Sequence, residues 1–569
     1  MTSSADSARA TAASTATFCA TLVDEWVACG LRHAVVAPGS RSTPLALALA
    51  DHGGLEVHVF HDERSAAFAA LGIGIASGEP AILLCTSGTA AAHFHAAVIE
   101  AHLSDVPMVV CTADRPPELR DVGAPQTIDQ TKLFGDAVRW FHDPGVASFD
   151  ASHTWRSLAA RCVDIATGQR PGPVHLNLPF REPLVGDVAE LPPARSGAWS
   201  QTIYPSMPAP SDLGDVARLV SGVRGVIVAG RGSEPEVLDL ARALGWPVLA
   251  DAVSGLRDCD PSVVVAFDAI LRSSAAASRL AADVVVRVGA PPASKVLSQW
   301  LTATGAPLVQ VSPTESVVDP DHRVRHRVVG SVSEVCRLLA RSVEAVSDEW
   351  LGLWSTAETA AQTAISTWCA KNWSEQTAAR TVTDSMARGS RLVVSSSMPI
   401  RDVEWFGTVT PGVVVSSNRG ANGIDGVVST AVGVALASGK PTVLLIGDVA
   451  LLHDSNGLVG LASRGVDLSV VVTNNDGGSI FSFLPQATQV SHETFEKIYG
   501  TPHGVSFAHL AAAHGLRHVD VSDTAGLAQA VRQGGPVLIE ARFDRGANVA
   551  SHEACSTAVT AAVESALSL

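Results

Sequence analysis

The feature that most constrains the fold is a repeated alternation of short apolar segments with helical segments along almost the whole chain. In the first part of the chain, His33–Ala37, Glu56–Phe60 and Ala81–Thr86 are strand-like, and each is followed by a helical pattern. Parallel strands need long crossover connections, and helices usually provide them. The alternation therefore predicts an α/β fold with doubly wound parallel sheets.

The alternation occurs in three series, which predicts three similar domains. The first series ends at Val174–Leu178, before a Pro- and Ser-rich linker at residues 192–210. The second begins at Gly225–Gly230, and the third begins at Arg391–Val394 after a long helical region. A chain of 569 residues is too long for one hydrophobic core. We predict α/β domains at residues 1–190, 191–345 and 346–569.

Composition restricts the possible partners. The net charge is −16, so the chain lacks the general positive charge that binds nucleic acids or anionic membranes. No apolar run reaches the ~18 residues of a membrane helix, and we expect no membrane partner. The nine cysteines are odd in number and form no Cys-x-x-Cys pair, which favours reduced core residues and a cytoplasmic protein.

Two predicted strands of the third domain end in oxygen-bearing side chains. Gly447-Asp448 follows the apolar run Pro441–Ile446, and Asn475 follows the run Leu468–Val472. The carboxyl ends of neighbouring parallel strands face one crevice, so Asp448, the Asn475 amide oxygen and the Gly477 carbonyl can share one Mg²⁺ or Mn²⁺. The alternative is two unrelated polar β-to-α turns, because short motifs often occur by chance.

Arginines also lie just past predicted strand ends. They are Arg41, Arg115, Arg401 and Arg419. Because a guanidinium binds a carboxylate through two hydrogen bonds, the set suggests a site for a polyanionic substrate in an otherwise acidic protein. Individually, each could be a surface salt-bridge residue, and the Ser40-Arg41 turn could be a simple helix cap.

The spacing of Gly447-Asp448 and Asn474-Asn475 resembles the thiamine-diphosphate signature, in which the metal anchors the diphosphate of the cofactor. More widely, the chain resembles the MenD family, the thiamine-diphosphate-dependent synthases of menaquinone biosynthesis. The similarity rests on four segments spread over the first and third domains: Pro38–Leu45, Ala113–Pro116, Ser417–Gly426 and Asn474–Phe481. The middle domain resembles the family mainly through Gly289–Lys295.

The resemblance implies a transferase that uses thiamine diphosphate to join 2-oxoglutarate to isochorismate with release of CO₂. It implies that Glu63 lies beside the aminopyrimidine ring and activates the cofactor. In isolation, Glu63 could equally be a first-turn carboxylate that stabilises its helix. The resemblance also implies an obligate homodimer, with a homotetramer as the expected assembly, because the family builds each site from two subunits.

Further roles are implied position by position. The implied catalytic residues are Glu63, Ser397 and Arg401. The implied substrate-binding residues are Ser40, Arg41, Arg115, Gln126, Lys295, Arg401, Arg419, Ile480, Phe481 and Leu484, of which the last three form an apolar wall that could also be plain core. The implied cofactor-binding residues are Glu63, Ser397, Met398, Gly420, Asp425, Gly447, Asp448, Asn475 and Ile480.

The chain departs from the family pattern at two positions. Val296 replaces a second basic residue found in some members, and Ala450 replaces a hydroxyl residue after Gly-Asp. Two other functions stay open. A sister 2-oxo acid decarboxylase or carboligase would share Glu63 and the metal motif, and a catalytically silent anion-binding homologue would share the fold alone.

Overall fold

Runs of Val, Leu and Ile form the centres of three six-stranded sheets in the computed structural model, which describes residues 4–203, 213–257 and 260–569. All neighbouring strands are parallel, as expected when helices connect them. The predicted α/β fold class is thus confirmed. One sheet falls within each predicted domain, while the domain boundaries themselves stay a prediction.

The first sheet has the strand order β2-β1-β3-β4-β6-β5. Its strands are β1 His33–Val36, β2 Glu56–Val59, β3 Ala81–Cys85, β4 Met108–Asp114, β5 Trp140–His142 and β6 Pro173–Pro179. The helices of this region are α1 Ser4–Ala28, α2 Thr43–Asp51, α3 Glu63–Ser77, α4 Thr89–Ala92, α5 His95–Leu103 and α6 Trp155–Ala166. β3, β4 and β6 are buried along their whole length.

The second sheet has the order β12-β11-β10-β7-β8-β9. Its strands are β7 Gly225–Ala229, β8 Val248–Ala250, β9 Val263–Val264, β10 Val284–Val288, β11 Leu308–Ser312 and β12 Val324–Val329. The helices are α7 Gly214–Val220, α8 Glu236–Leu244, α9 Phe267–Leu271, α10 Ser274–Arg279, α11 Lys295–Thr304 and α12 Val332–Ala340. Two longer helices follow, α13 Asp348–Cys369 and α14 Glu375–Ser385.

The third sheet, β14-β13-β15-β16-β18-β17, repeats the order of the first. Its strands are β13 Arg391–Val394, β14 Val414–Ser416, β15 Thr442–Gly447, β16 Leu468–Asn474, β17 Arg517–Val521 and β18 Val537–Arg542. The helices are α15 Met398–Phe406, α16 Val427–Ser438, α17 Asp448–His453, α18 Gln486–Gln489, α19 His492–Phe495, α20 Phe507–Ala513, α21 Thr524–Gln533 and α22 Arg545–Ala566.

Contacts divide the chain into two units. The first comprises Met1–Tyr204, Asn418–Gly439 and His453–Val466. Within it, α3 packs closely against α16, because a Cβ on Gly72 would lie 2.1 Å from the Thr430 carbonyl oxygen and one on Gly433 would lie 2.0 Å from that of Ala69. Only glycine permits this approach of the two helix backbones.

The second unit comprises Pro205–Ser417, Lys440–Leu452 and Asp467–Leu569. A buried ion pair lies inside it, with Arg257 Nη2 2.8 Å from Glu404 Oε2. Arg257 also donates to the carbonyl oxygens of Ala250, Val403 and Gly407. The guanidinium thereby satisfies carbonyl groups that would otherwise be buried without partners.

The eight described cysteines are free, and all except Cys29 are buried; Cys259 lies outside the described residues. The linker predicted at residues 192–210 is described only as far as residue 203. Within the described ranges, none of the helices has the length and apolar character that a membrane crossing requires.

Candidate active site

In the second unit, the end of β15 and the loop after β16 meet at the Asp448 carboxylate. Asp448 is buried, and its Oδ2 accepts hydrogen bonds from the backbone N–H groups of Asn475 at 3.1 Å and Gly477 at 2.9 Å. Its Oδ1 accepts only from Val449 N, at 2.7 Å, among the hydrogen bonds of the described residues. Oδ1 therefore keeps lone-pair capacity for a cation.

The Asn475 side chain has a buried oxygen that fits a metal ligand. Asn475 Nδ2 donates to Glu375 Oε1 at 2.9 Å, whereas Asn475 Oδ1 has no hydrogen-bond partner among the described residues. A buried amide oxygen without a partner is unfavourable unless another group satisfies it. Asp448 and Asn475 supply the hard oxygen ligands that Mg²⁺ prefers, so these residues fit a divalent cation with a bound diphosphate.

Gly477, the third predicted ligand, adopts a backbone conformation that needs glycine. Its φ is +143°, and a Cβ there would lie 1.9 Å from the Gly500 carbonyl oxygen. The Gly477 carbonyl accepts from Ser479 N at 3.0 Å, which leaves its second lone pair available. Gly447 is the last residue of β15 and directly precedes Asp448.

A buried acidic network continues behind Asn475. Burial, and then the nearby Asp402 carboxylate, raise the pKa of Glu375 to about 8. Asp402 Oδ1 lies 2.7 Å from His552 Nε2. Burial disfavours the charged form of His552, but the effect of the Asp402 carboxylate is larger. The pKa of His552 is therefore raised. The network holds the Glu375 carboxyl that orients the Asn475 amide.

Ser397, Met398 and Arg401 lie at the turn from β13 into α15. Ser397 has a φ of +75°, a strained conformation for a residue other than glycine, and such strain is concentrated at functional sites. Met398 is buried, whereas Ser397 and Arg401 are half-buried. Arg401 Nη1 donates to the Ser397 carbonyl, which fixes the guanidinium above the start of the helix.

The three apolar residues predicted as a wall follow Gly477 in the chain. Ile480 and Phe481 are half-buried, and Leu484 is 40% exposed. None of the three is fully buried, so they do not belong to a plain core. Lys295 is exposed at the first position of α11, where a positive charge opposes the helix dipole; helix stability therefore does not explain it.

In the first unit, two of the predicted arginines are brought together at the carboxyl edge of the first sheet. Arg41 is buried and donates to the Phe180 carbonyl and to Glu182 Oε1, each at 2.9 Å. Arg115 follows β4, and burial and then Arg41 lower its pKa. The Glu182 and Asp114 carboxylates oppose this shift but do not cancel it, so the two neighbouring cations favour a further anion.

Ser87 connects this arginine pair to Gln126. Ser87 Oγ accepts from Arg115 Nη1 at 3.2 Å, and its carbonyl accepts from Gln126 Nε2 at 3.0 Å. Gln126 is exposed and has a φ of +56°. Ser40 is also exposed, next to Arg41 in the turn after β1. Hydrogen-bonding groups from three turns of this edge thus surround the arginines.

Glu63 is the first residue of α3, which Asp62 caps by accepting from Arg64 N at 2.8 Å. Glu63 lines a cavity of about 550 Å³ with Phe60, His61, His93, Asn456 and Arg464 among its neighbours. Burial, and then the Glu63 carboxylate, raise the pKa of the Cys85 thiol, so the two groups lie near each other. The helix cap fixes the position of Glu63 in the wall of this cavity.

Gly420 and Asp425 belong to the loop before α16, which Glu100 of α5 holds. Glu100 Oε1 and Oε2 each accept a backbone N–H at 2.7 Å, from Gly420 and Ala421 respectively. Asp425 lines a second cavity, of about 170 Å³. Arg419 is half-buried and forms neither a hydrogen bond nor an ion pair with any described residue, so its guanidinium is available to an anion.

Sequence reasoning missed several residues of these sites: Glu100, Glu375, Asp402, His503 and His552. All except His503 lie in the middle of helical patterns or at their starts, where an acidic or basic residue looks like solvent-exposed surface. His503 Nε2 lies 3.3 Å from Asp448 Oδ2, and its Nδ1 accepts from Val505 N. No spacing along the chain connects these residues to the metal motif.

The chain matches three family models that agree with this architecture. They are "Thiamine pyrophosphate enzyme, N-terminal TPP binding domain" over residues 17–133, "Middle domain of thiamine pyrophosphate" over 207–394, and "Thiamine pyrophosphate enzyme, C-terminal TPP binding domain" over 406–541. Together with the three parallel sheets, they define a thiamine-diphosphate-dependent enzyme.

Comparison with curated relatives identifies the family within this class of enzymes. The 2-succinyl-5-enolpyruvyl-6-hydroxy-3-cyclohexene-1-carboxylate synthase of Myxococcus xanthus (strain DK1622) is 43% identical, over 93% of this chain and 95% of the relative. The synthases of Geobacillus kaustophilus (strain HTA426) and Chloroflexus aurantiacus (strain ATCC 29366 / DSM 635 / J-10-fl) are each 42% identical over 94% of this chain, and over 96% and 94% of their own lengths. The chain belongs to this synthase family.

Proposed function

We propose that the protein decarboxylates 2-oxoglutarate and adds the resulting four-carbon unit to isochorismate, giving 2-succinyl-5-enolpyruvyl-6-hydroxy-3-cyclohexene-1-carboxylate and CO₂ in menaquinone biosynthesis. The observation that carries the proposal is the near full-length identity of 42–43% to synthases of this name. The paired Arg41 and Arg115 support it, because both substrates are dianions and a simple decarboxylase of neutral-tailed oxo acids has less need of them.

When bound, thiamine diphosphate supplies a carbon nucleophile and an electron sink, which permit loss of CO₂ from a 2-oxo acid and formation of a carbon–carbon bond. Glu63 would hold the proton that it shares with N1′ of the aminopyrimidine ring. Ser397, Met398, Gly420, Asp425 and Ile480 would complete the binding of the cofactor. Ser397 and Arg401 would assist catalysis by holding the reacting carboxylate.

Arginines would bind the carboxylates of the two substrates. Arg41, Arg115 and Arg419 are placed to offer paired N–H donors, and Ser40, Gln126 and Lys295 would add further donors. Ile480, Phe481 and Leu484 would exclude water from the reacting carbon, which would otherwise be protonated before it meets the second substrate. An apolar wall therefore serves the addition step in particular.

The metal in this proposal is Mg²⁺ or Mn²⁺, held by Asp448, Asn475 and the Gly477 carbonyl. Open coordination positions would take diphosphate oxygens. The unpartnered Asn475 Oδ1 is the feature that supports a cation here. A metal at this point would neutralise the diphosphate in a strongly acidic protein.

We further propose a homodimer as the smallest active unit, assembled into a homotetramer, in the cytoplasm. Exposed apolar residues in the first unit, such as Leu47, Val59 and Leu103, support a surface that a second subunit covers. The partners are then the two substrates and other copies of the chain, with no nucleic acid and no membrane.

A single assay tests the proposal. Purified protein receives thiamine diphosphate, Mg²⁺ and 2-oxoglutarate, with and without isochorismate, while CO₂ release and isochorismate consumption are measured. We expect the two to be coupled one to one and to collapse together in Glu63→Gln. CO₂ release at the same rate with and without isochorismate would instead identify a sister decarboxylase. Absence of turnover with any 2-oxo acid would identify a catalytically silent binding homologue.

A further inference from the structure

A compact group of metal-ligating side chains lies on the first sheet, apart from the residues assigned above. The register of β1 and β2 pairs His33 with Glu56 and Val35 with His58. Side chains alternate between faces along a strand, so His33, Glu56 and His58 all lie on one face. His33 Nδ1 is 3.2 Å from His58 Nε2 and 3.9 Å from Glu56 Oε2, and the three ligand atoms lie within 4.8 Å of one another.

These separations suit one small cation. Zinc bonds of ~2.0–2.1 Å in a tetrahedral arrangement separate neighbouring ligand atoms by roughly 3.3 Å. The two imidazole nitrogens already have this spacing. Glu56 is 71% exposed, so its side chain can turn to close the remaining gap, and water can occupy the fourth position. We propose that His33, His58 and Glu56 form a binding site for a divalent transition-metal ion, with Zn²⁺ as the best-suited ion.

The protonation of the two histidines supports metal binding. Burial lowers the pKa of His33, although Glu56 and Glu79 oppose this shift. Burial, and then His33 and Arg464, lower the pKa of His58 to about 4. Both rings are therefore neutral at pH 7, and a neutral imidazole is the form that binds metals. The Arg464 guanidinium is an unfavourable charge near His58, and its Nη2 is held by the Val59 carbonyl at 3.0 Å.

The proposed metal site lies at an edge of the first sheet, where bound metal would stabilise the folded state. β2 is the edge strand of the first sheet, and only three residues, Phe60 to Asp62, separate it from Glu63. Edge strands are held by one neighbour only. A metal that bridges β1 and β2 would tie this edge to the sheet, because binding to the folded state alone stabilises that state. Metal binding at this site requires none of the residues assigned to the proposed reaction.

Zn²⁺ titration of the full-length protein tests the site. Isothermal titration calorimetry with ZnCl₂ is performed with saturating Mg²⁺ and thiamine diphosphate, so that the site at Asp448 is filled. Variants His33→Gln and His58→Gln remove one ligand each, and His514→Gln is the matched control outside the cluster. Circular dichroism verifies that each variant is folded.

We expect one Zn²⁺ per chain in the wild type and in H514Q. Loss of a residue that only hydrogen-bonds to a metal ligand weakens metal binding about 10–100-fold. Loss of a direct ligand should therefore weaken it by at least about 100-fold. Bound Co²⁺ should give a visible absorption spectrum that H58Q lacks. If H58Q does not fold, the exposed Glu56→Gln removes another direct ligand and should likewise weaken binding by at least about 100-fold. Zn²⁺ isotherms that are the same in wild type, H33Q and E56Q would show that the histidines form only a hydrogen-bonded pair.

Discussion

Asn475 and Glu375 are joined by a buried hydrogen bond, from Asn475 Nδ2 to Glu375 Oε1 at 2.9 Å, across 100 residues of sequence. Because the amide nitrogen is held by Glu375, the amide oxygen is turned away from it and is left without a partner among the described residues. The hydrogen bond to Glu375 therefore leaves the oxygen of the Asn475 amide, and not its nitrogen, available to a metal ion.

Replacing Glu375 should weaken Mg²⁺ binding. Glu375→Met removes the acceptor and keeps the volume, and we expect a 10–100-fold loss of Mg²⁺ affinity, measured by calorimetric titration of thiamine diphosphate at varied Mg²⁺. Glu375→Gln can still accept through its own amide oxygen, so it should recover most of the affinity. Equal Mg²⁺ affinity in E375M and wild type would contradict this role.

Glu63→Gln should lower the turnover rate while leaving the binding of thiamine diphosphate almost unchanged. The amide keeps the shape of the carboxyl group but cannot exchange a proton, so we expect kcat to fall by about 10²–10⁴-fold. The Kd for thiamine diphosphate, measured by calorimetry, should change only a few-fold. Glu79→Gln, an exposed residue after the same helix, should leave both quantities unchanged.

Arg115→Ala should impair recognition of a substrate carboxylate. A hydrogen bond to a charged group contributes ~1.5–3 kcal/mol, so kcat/KM for one of the two dianionic substrates should fall by about 10–150-fold. Steady-state kinetics with each substrate varied in turn identify which one. Arg181→Ala, which removes an exposed pair with Glu118, serves as the control and should have no effect.

Gly72→Ala should destabilise the contact between α3 and α16. The added Cβ would lie 2.1 Å from the Thr430 carbonyl oxygen, and such overpacking costs ~1–3 kcal/mol or more. Gly352→Ala is the opposite case, because the glycine lies in α13 with open space around its Cβ position. It should stabilise the helix by ~0.5–1 kcal/mol. Differential scanning calorimetry should show Tm lowered in the first variant and slightly raised in the second.

Asp454 should make stability depend on pH. Its carboxylate is buried and accepts from Ser429 N at 2.7 Å, and burial raises its pKa to about 6. The folded state therefore binds this proton more tightly than the unfolded state does, so the contribution to stability is present below the unfolded pKa and is lost as pH rises from about 4 to about 6. A shift of about two units corresponds to roughly 3 kcal/mol.

Asp454→Asn removes this titration, and its amide oxygen can still accept the hydrogen bond from Ser429 N. The difference in Tm between wild type and D454N should change steadily between pH 4 and pH 6 and be constant above pH 7. A difference that does not vary with pH over that range would contradict the assignment.

The central strands of all three sheets could be predicted, because β3, β7 and β15 are largely continuous apolar runs between turns. The edge strands β5, β9 and β12 were not predicted. β5 has three half-buried residues, β9 is only two buried residues long, and β12 alternates exposed Arg with partly buried residues. These strands form because a neighbouring strand offers free backbone groups, which no local pattern reveals.

The sequence alone determined the strand–helix alternation, the oxygen-bearing side chains Asp448 and Asn475 at strand ends, and the arginines that follow strands, because each depends on residues close together in the chain. Tertiary structure decided which distant groups meet these residues: Glu375 behind Asn475, Arg41 beside Arg115, Glu100 beneath Gly420, and His33 facing His58. The physical reason is that a buried polar group is tolerated only when a partner satisfies it, and that partner is selected by packing in space, not by spacing along the chain.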